Sequence, residues 1–598
     1  MNKFTLTLMT AAIVGLTACG DDGKNGRNGM DGQDGQNGQS GQDGQNGLNS
    51  LITQTALAVG DSNCPGGGTR IDSGLDSNAN GELDSSEITA TKYLCDPHTP
   101  DESVDLMANT RNNAWFQAAA TRVSNPEAPV LTRGAAKNVI LFVGDGMGIS
   151  TVTAARILEG QLKGKLGEEH NLSFDLFPFS GLAKTYNTDA QTPDSAGTMT
   201  AMMSGVKNKA GMINISDAGM RADCASSQGN ELNTFLDLME EAGRSTGVVS
   251  TARVTHATPA ATYARVPERN WESDDSLTDE AKTNGCKDIA DQLVSYDYGD
   301  GIDVVLGGGR RHFQTTTDGG KRTDDRDLTQ IWQDRYADTE QSALYIETGT
   351  ELASADLAVT DKLLGLFASS HLSYDADRQA TGADEPTVAE MTEAAIEVLS
   401  KNEDGYFLMV ESGRIDHGHH AGNAYNALHD AVAFADAVQA AKDKVNLEDT
   451  LILVTADHSH VFTIAGYPTK GNPILGKVVT NDGSGAPESD AYLAADGQPY
   501  TTLGYTNGFG FADLGAETDA DAIYAMAPNG GRHDISSVDT EAPGYHQEAL
   551  IPMGSETHAG EDISLHAAGA GAYMVQGNVE QNTVFHIMTT ATSVTPAE

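Results

Sequence analysis

The chain is 598 residues long, too long for one small core and suited to one large catalytic domain with accessory segments. Its 85 Asp and Glu against 37 Lys and Arg leave a formal net charge of −48. A field of that sign repels phosphate backbones and anionic lipid, which excludes nucleic-acid binding through a basic patch, and it suits a chain that collects divalent cations.

Residues 1–18 read as an export signal: Lys3 is the positive start, and Phe4 to Leu16 form an apolar run too short to span a bilayer. The run ends in Leu16-Thr17-Ala18-Cys19, which resembles the lipobox of bacterial lipoproteins. Cys19 is therefore expected to carry lipid and to hold the protein at a bacterial envelope, with the membrane reached only through that anchor. The alternative is ordinary secretion with an incidental cysteine. In an exported chain the other cysteines are expected to pair as Cys64–Cys95 and Cys224–Cys286, which keeps each pair inside one candidate domain; the sequence permits other pairings.

From Gly20 to Gly47 every third residue is glycine, with Gln, Asn and Asp between, so residues 19–50 form a collagen-like Gly-x-y spacer. The tract has no proline to pre-set an extended backbone, which favours a solvated flexible spacer; a triple helix of three chains is the sharper alternative. Residues 51–98 read as a small module stapled by Cys64 and Cys95. Inside it, Asp76 to Glu87 fits the twelve-residue EF-hand loop, with calcium oxygens expected from Asp76, Asn78, Asn80, the Glu82 carbonyl, Asp84 and Glu87, and with Gly81 at the sharp turn. The plain alternative is an Asp/Asn-rich turn in a very acidic protein. Residues 99–136 are expected to be a linker.

Beyond residue 137 short apolar runs alternate with helical patterns: Asn138 to Val143, Gly247 to Ser250, Ile302 to Leu306, Tyr406 to Val410 and Leu451 to Thr455. This pattern predicts an α/β fold, a three-layer α/β/α sandwich with a largely parallel central sheet, whose chemistry sits at the carboxyl ends of the strands. Those ends carry Asp145 among glycines, then Glu411 with Asp416-His417-Gly418-His419-His420, then Asp457-His458-Ser459-His460. One such residue is usually a cap or turn former; several carboxylates and imidazoles converging on one sheet edge point to metal. Ser195, in Thr192-Pro193-Asp194-Ser195-Ala196-Gly197, stands where small residues can open a helix whose N–H groups welcome an anion. Taken alone, it is as well explained as a cap.

Together with His256-Ala257-Thr258-Pro259-Ala260, Arg269-Asn270-Trp271 and Glu556 to Asp562, these motifs resemble alkaline phosphatase, in the same order along residues 137–595. His256 and His417 bring the resemblance closer to the animal enzymes than to the enterobacterial type. What it implies is a phosphomonoesterase with two zinc ions and one magnesium ion. One zinc would take Asp416, His420 and His558, and the other Asp145, Asp457 and His458, beside the nucleophile Ser195. Magnesium would take Asp145, Thr258 and Glu411, with His256 beyond them through water. Arg269 would clamp phosphate, and His417 and His460 would tune the site from outside, unless they are plain surface histidines.

The resemblance also implies a homodimer with a crown-like insertion at 467–553, whose sequence departs from the animal pattern, and it places Cys224 and Cys286 where the animal enzymes have a disulfide. In Gly365-Leu366-Phe367-Ala368 an alanine stands where the animal calcium site has a carboxylate. Two other classes compete: a phosphodiesterase or sulfatase on the same framework, and a calcium-binding surface adhesin built on residues 20–98.

Overall fold

The computed structural model describes residues 49–96, 113–124, 135–510, 512–513 and 532–594. The chain divides into two units, Met1–Asn125 and Pro126–Glu598. In the first, strands β1 (Ser50–Val59), β2 (Gly66–Leu75) and β3 (Ile88–Cys95) form an antiparallel sheet in that order. The Cys64–Cys95 disulfide closes it, and a helix, Ala114–Ser124, lies within the stretch read as linker. The EF-hand-like loop joins β2 to β3, so it connects two strands rather than two helices. Cys19 and the Gly-x-y tract lie outside the described residues.

The second unit is built on a ten-stranded sheet. Its strands include β4 (Asn138–Gly144), β5 (Phe179–Lys184), β6 (Ser245–Arg253), β7 (Val304–Gly308), β8 (Ala343–Ile346), β9 (Lys362–Ala368), β10 (Tyr406–Ser412) and β11 (Thr450–Ala456), with Ile563–Gly569 and Gly577–Glu580 completing it. The order is Gly577–Glu580, β5, Ile563–Gly569, β11, β4, β10, β6, β7, β9, β8. Only Ile563–Gly569 runs against its neighbours.

The strand residues are apolar throughout because both faces are covered. Val139, Leu141 and Val143 of β4 join Phe407, Met409, Leu451 and Leu453 in one core. Ile140 and Phe142 join Leu408, Val410, Ile452 and Val454 in the other. The first core is roofed by the helices Ser195–Ser204, Phe235–Glu241 and Thr583–Thr592, the second by Ile149–Leu162, Val388–Leu399 and Ala424–Lys444. This is the expected three-layer arrangement. In the stretch 467–553, expected to form a crown-like insertion, Leu503–Gly508 pairs with Ala549–Pro552, and it also pairs with Phe462–Ile464 just before that stretch. The second disulfide, Cys224–Cys286, ties the short helix Cys224–Ser227 to the segment before Ile289–Val294.

One buried charge cluster sits at the opposite end of the sheet from the strand ends discussed below. Lys362, fully buried, donates to Asp300 and Asp303, and Asp303 accepts from the Thr246 backbone at 2.7 Å. Glu240 accepts from the Thr246 hydroxyl, and burial followed by the nearby Asp303 pushes its carboxyl up to about 9. Because the folded value lies above the ordinary one, this group's contribution is complete below the unfolded carboxylate range and is lost as pH climbs towards about 9. Glu240→Gln, which mimics the protonated acid, is therefore expected to gain stability relative to the native chain progressively from about pH 5 to about pH 9, read from urea midpoints. A difference that stays constant across that range would show that Glu240 is ionised in the fold.

Candidate active site

Three parallel strands end level with one another. Glu411 pairs with Val143 and Ser412 with Gly144, while Ala456 pairs with the same Gly144 from the other side. Glu411 itself, Asp145 just past β4, and Asp457 and His458 just past β11 therefore leave the sheet together, all fully buried. Glycine makes the crowding feasible: a Cβ on Gly146, whose φ is +67°, would lie 2.3 Å from His460 Nε2. The helix Arg414–His420, directly after β10, sets Asp416 and His420 one turn apart on one face.

Asp416, His420 and His558 form one group. Asp416 Oδ1 lies 3.4 Å from His420 Nε2 and 3.3 Å from His558 Nε2, and the two Nε2 atoms are 3.0 Å apart. Each ring turns its Nδ1 to a backbone carbonyl, His420 to Glu556 at 2.7 Å and His558 to Pro193 at 2.8 Å. A carbonyl only accepts, so it fixes the proton on Nδ1 and leaves two Nε2 lone pairs facing each other, an arrangement that calls for a cation between them.

Asp145, Asp457 and His458 form a second group, with His458 Nε2 at 3.4 Å from Asp145 Oδ1 and 3.3 Å from Asp457 Oδ2. Ser195 Oγ sits 3.1 Å from that same Nε2. Asp145, His256 and Glu411 bring ligand atoms within 4.8 Å of one another in a third group. Both Asp145 oxygens, Glu411 Oε1, Thr258 Oγ1, His256 Nδ1 and His458 Nδ1 are buried without a hydrogen-bond partner. Orphaned buried polar atoms are costly, and this many at one place fit bound metal ions.

The electrostatics agree. Burial, then Asp416, Asp457 and Glu411, pushes the Asp145 carboxyl well above its usual range. Burial, reinforced by Asp457 and Asp416 and opposed by the Ser250 hydroxyl, brings Glu411 up to about 8, and burial raises Asp457 as well. At Asp416 burial pulls the same way, yet His420, His460 and His558 overcome it and hold this carboxyl well below its usual range. Carboxylates that cannot all ionise in a dry pocket do so beside divalent cations.

The helix Ser195–Ser204 carries Ser195 at its start. Its N-cap is Asp194, whose side chain accepts from Gly197 N at 3.1 Å, so Ser195 is the first helical residue rather than the cap. Gly197 has to be glycine, since a Cβ there would lie 1.8 Å from Asn187 Nδ2. Arg269 donates to Asp194 Oδ2 at 3.2 Å and bonds through its backbone to Gly211, while Gly211 N donates to the same Asp194 oxygen. One carboxylate thus caps the helix of Ser195 and aims Arg269. The Arg269 guanidinium also lies 3.4 Å from His256 Nε2.

Of the two histidines read as outer tuners, His460 is fully buried, with Nε2 2.8 Å from Asp416 and Nδ1 2.6 Å from Glu556. Burial opposes its charge, but Glu556 and Asp416 outweigh it and raise the imidazole to about 10. His417 is half-buried beside Arg414 at 3.1 Å, its ring centroid 4.1 Å from that of His371. Sequence reasoning gave no role to Glu556, Ser250, Asp194 or His371. Glu556 stands two residues before His558 in a motif already noticed; its carboxylate orients His460 while its carbonyl orients His420. Ser250 donates to Glu411 from the neighbouring strand, a contact that only the register of β6 and β10 reveals.

The family model "Alkaline phosphatase" matches residues 136–594, and one described as a domain of unknown function (DUF7151) matches residues 49–95. The rat tissue-nonspecific alkaline phosphatase isozyme is 42% identical over 493 residues, which cover 80% of this chain and 88% of the relative. The alkaline phosphatase of the cod Gadus morhua is 40% identical, covering 81% and 96%. Among solved structures, Thermus thermophilus alkaline phosphatase superposes with a TM-score of 0.54 at 24% identity, covering 78% of this chain and 93% of that one. The enzyme from the Antarctic bacterium TAB5 gives 0.50 at 22%, covering 77% and 99%; both likenesses bear on the fold alone. A match running the length of the domain that carries the crowded strand ends makes this chain a member of the alkaline phosphatase family.

Proposed function

We propose that this chain hydrolyses phosphate monoesters through a phosphoserine on Ser195 at a site for two zinc ions and one magnesium ion. Family membership already makes it a phosphoric monoester hydrolase. The finer reading rests above all on Ser195 Oγ lying 3.1 Å from His458 in the midst of orphaned carboxylates.

Mixed nitrogen and oxygen donors suit zinc, so Asp416, His420 and His558 would hold one ion and Asp145, Asp457 and His458 the other. The oxygen set of Asp145, Thr258 and Glu411 suits magnesium, with His256 beyond it. When bound, such ions lower the pKa of a hydroxyl or water and neutralise charge on phosphate oxygens. The protein's own groups do the rest. Ser195, at the first turn of its helix, is the nucleophile, and the free N–H groups there favour the dianion. Arg269 offers a planar fork to two non-bridging oxygens, aimed by Asp194. The Ser195 oxygen displaces the ester oxygen, which departs as the alcohol. Water then displaces the Ser195 oxygen from phosphorus, releasing inorganic phosphate and restoring the hydroxyl.

Export, the lipid anchor at Cys19, homodimerisation and a role for the crown-like insertion in it belong to the same reading. Among the described residues no helix is long and apolar enough to cross a membrane. A calcium ion in the Asp76–Glu87 loop is supported by two acids that are nearly buried there, Asp76 and Glu87, around which the chain winds: Asp76 accepts from Asn80 and Gly81, and Glu87 from Ser77 and Asn78.

Assays of a monoester, a diester and a sulfate ester side by side are expected to favour the monoester, with phosphoserine trapped at acid pH. Ser195→Ala is expected to lose monoester turnover by about 10³-fold or more while keeping its metal. Full activity in that variant, or equal turnover of the diester or sulfate, overturns the proposal. Glu556→Ala is expected to weaken metal retention by about 10- to 100-fold in chelator competition, because it frees His460 and with it Asp416; unchanged retention would make Glu556 a packing residue only. Calcium titrated into the native chain is expected to give a heat signal that Glu87→Gln removes; a signal equal in both assigns calcium elsewhere.

A further inference from the structure

Another arginine reaches the backbone that carries Arg269. Arg221 donates twice to Glu268, from Nε to Oε2 at 2.8 Å and from Nη2 to Oε1 at 3.3 Å. Glu268 is the residue before Arg269, and its carboxylate also accepts the N–H of Asn270, the residue after, at 3.2 Å. The group that Arg221 grips therefore bridges across Arg269. The Arg269 N–H is itself taken by the Gly211 carbonyl at 2.9 Å, and the Trp271 N–H closes the turn on the Glu268 carbonyl at 3.1 Å.

Gly211 is where these contacts meet. Its N–H donates to Asp194 Oδ2, the oxygen that also takes Arg269 Nη1, while its carbonyl holds the Arg269 backbone. Its φ is +79°, and a Cβ there would lie 2.2 Å from Arg221 Cζ and 2.4 Å from Nε, so the guanidinium rests against a bare Cα. The chain turns sharply to bring it there. Ala222 has a φ of +59°, in the left-handed region that side chains disfavour, and its N–H bonds to the Pro267 carbonyl at 2.9 Å. Three residues past Arg221, the Cys224–Cys286 disulfide anchors the same segment. The Arg221 side chain is 49% exposed. An ion pair so open to water adds little to stability, but a two-bonded fork fixes orientation.

We propose that Arg221, acting through Glu268 and Gly211, is a positioning residue that fixes the backbone of Arg269 and so keeps its guanidinium aimed at phosphate. Asp194 restrains the tip of that side chain, and Arg221 restrains its base. A preset fork loses little freedom when it grips two oxygens, which raises affinity for the monoester and for inorganic phosphate alike. The proposal rests on Arg269 as the phosphate clamp.

The test is competitive inhibition of monoester turnover by inorganic phosphate, measured on the metal-loaded full chain. Arg221→Gln, Arg221→Lys and Glu268→Gln are each expected to raise the inhibition constant and KM together by about three- to tenfold, with kcat held within about twofold. Lysine keeps the charge without the fork, so it does not rescue. In an Arg269→Ala background the same three substitutions are expected to change nothing further, since the group they aim is gone. The proposal is overturned if any of the three leaves the inhibition constant at the native level; for lysine, that result would make Arg221 a source of charge only. It is overturned equally if the loss persists without Arg269, which would make it a packing effect. Native phosphate inhibition in Arg269→Ala alone would instead overturn the clamp reading and this proposal with it, whereas an impaired Arg269→Ala beside native-like Arg221 variants overturns the positioning role only.

Discussion

Like charges forced together in a dry place are the constraint from which the rest of this domain follows. Asp145, Glu411 and Asp457 leave three adjacent parallel strands at one level, and Asp416 joins them one helical turn later. Left alone, the three strand-end acids would protonate, as the raised Asp145, Glu411 and Asp457 carboxyls indicate, while Asp416 is kept ionised by His420, His460 and His558. Held together with His420, His458 and His558, this set becomes a cage for cations. The glycines of the first turn, the imidazoles aimed by backbone carbonyls and the hydroxyl of Ser195 are arranged around this repulsion.

Outside the cage a second layer keeps it in shape. His460 lies between Asp416 and Glu556, and its charge is maintained by acids on both sides. Glu556 reaches His460 with its side chain and His420 with its carbonyl, so His420 directly and Asp416 through His460 both answer to one residue. Around Ser195, Asp194 has the equivalent role, capping the helix that this serine opens and restraining Arg269. Ligands positioned this way lose little freedom on binding, which is where the affinity of such sites comes from.

The architecture of the larger unit was readable in the sequence because its strands are buried on both faces and show up as unbroken apolar runs; the five runs read in advance lie in β4, β6, β7, β10 and β11. Strands with mixed composition, such as β5 or Gly577–Glu580, carry no such run. Both cysteine pairs matched expectation. The site was legible wherever ligand-type residues cluster next to a strand. Ser250, Asp194 and Glu556 act through spatial neighbours more than fifty residues away in sequence, and no local pattern announces such contacts. The EF-hand-like loop is the reverse case, a local pattern whose setting between strands could not be foreseen from the motif.

The reversed strand Ile563–Gly569 has a consequence for how the molecule matures. It docks beside β11, and His558 enters the site from the segment just before it. Asp145 emerges early in synthesis and His558 near the end, so a partly made chain lacks the third member of the set proposed for one zinc ion, Asp416, His420 and His558. At that one position an early ion finds Asp416 and His420 without their partner. On the proposed ligand set, that position is completed only when Ile563–Gly569 has docked beside β11 and carried His558 in with it.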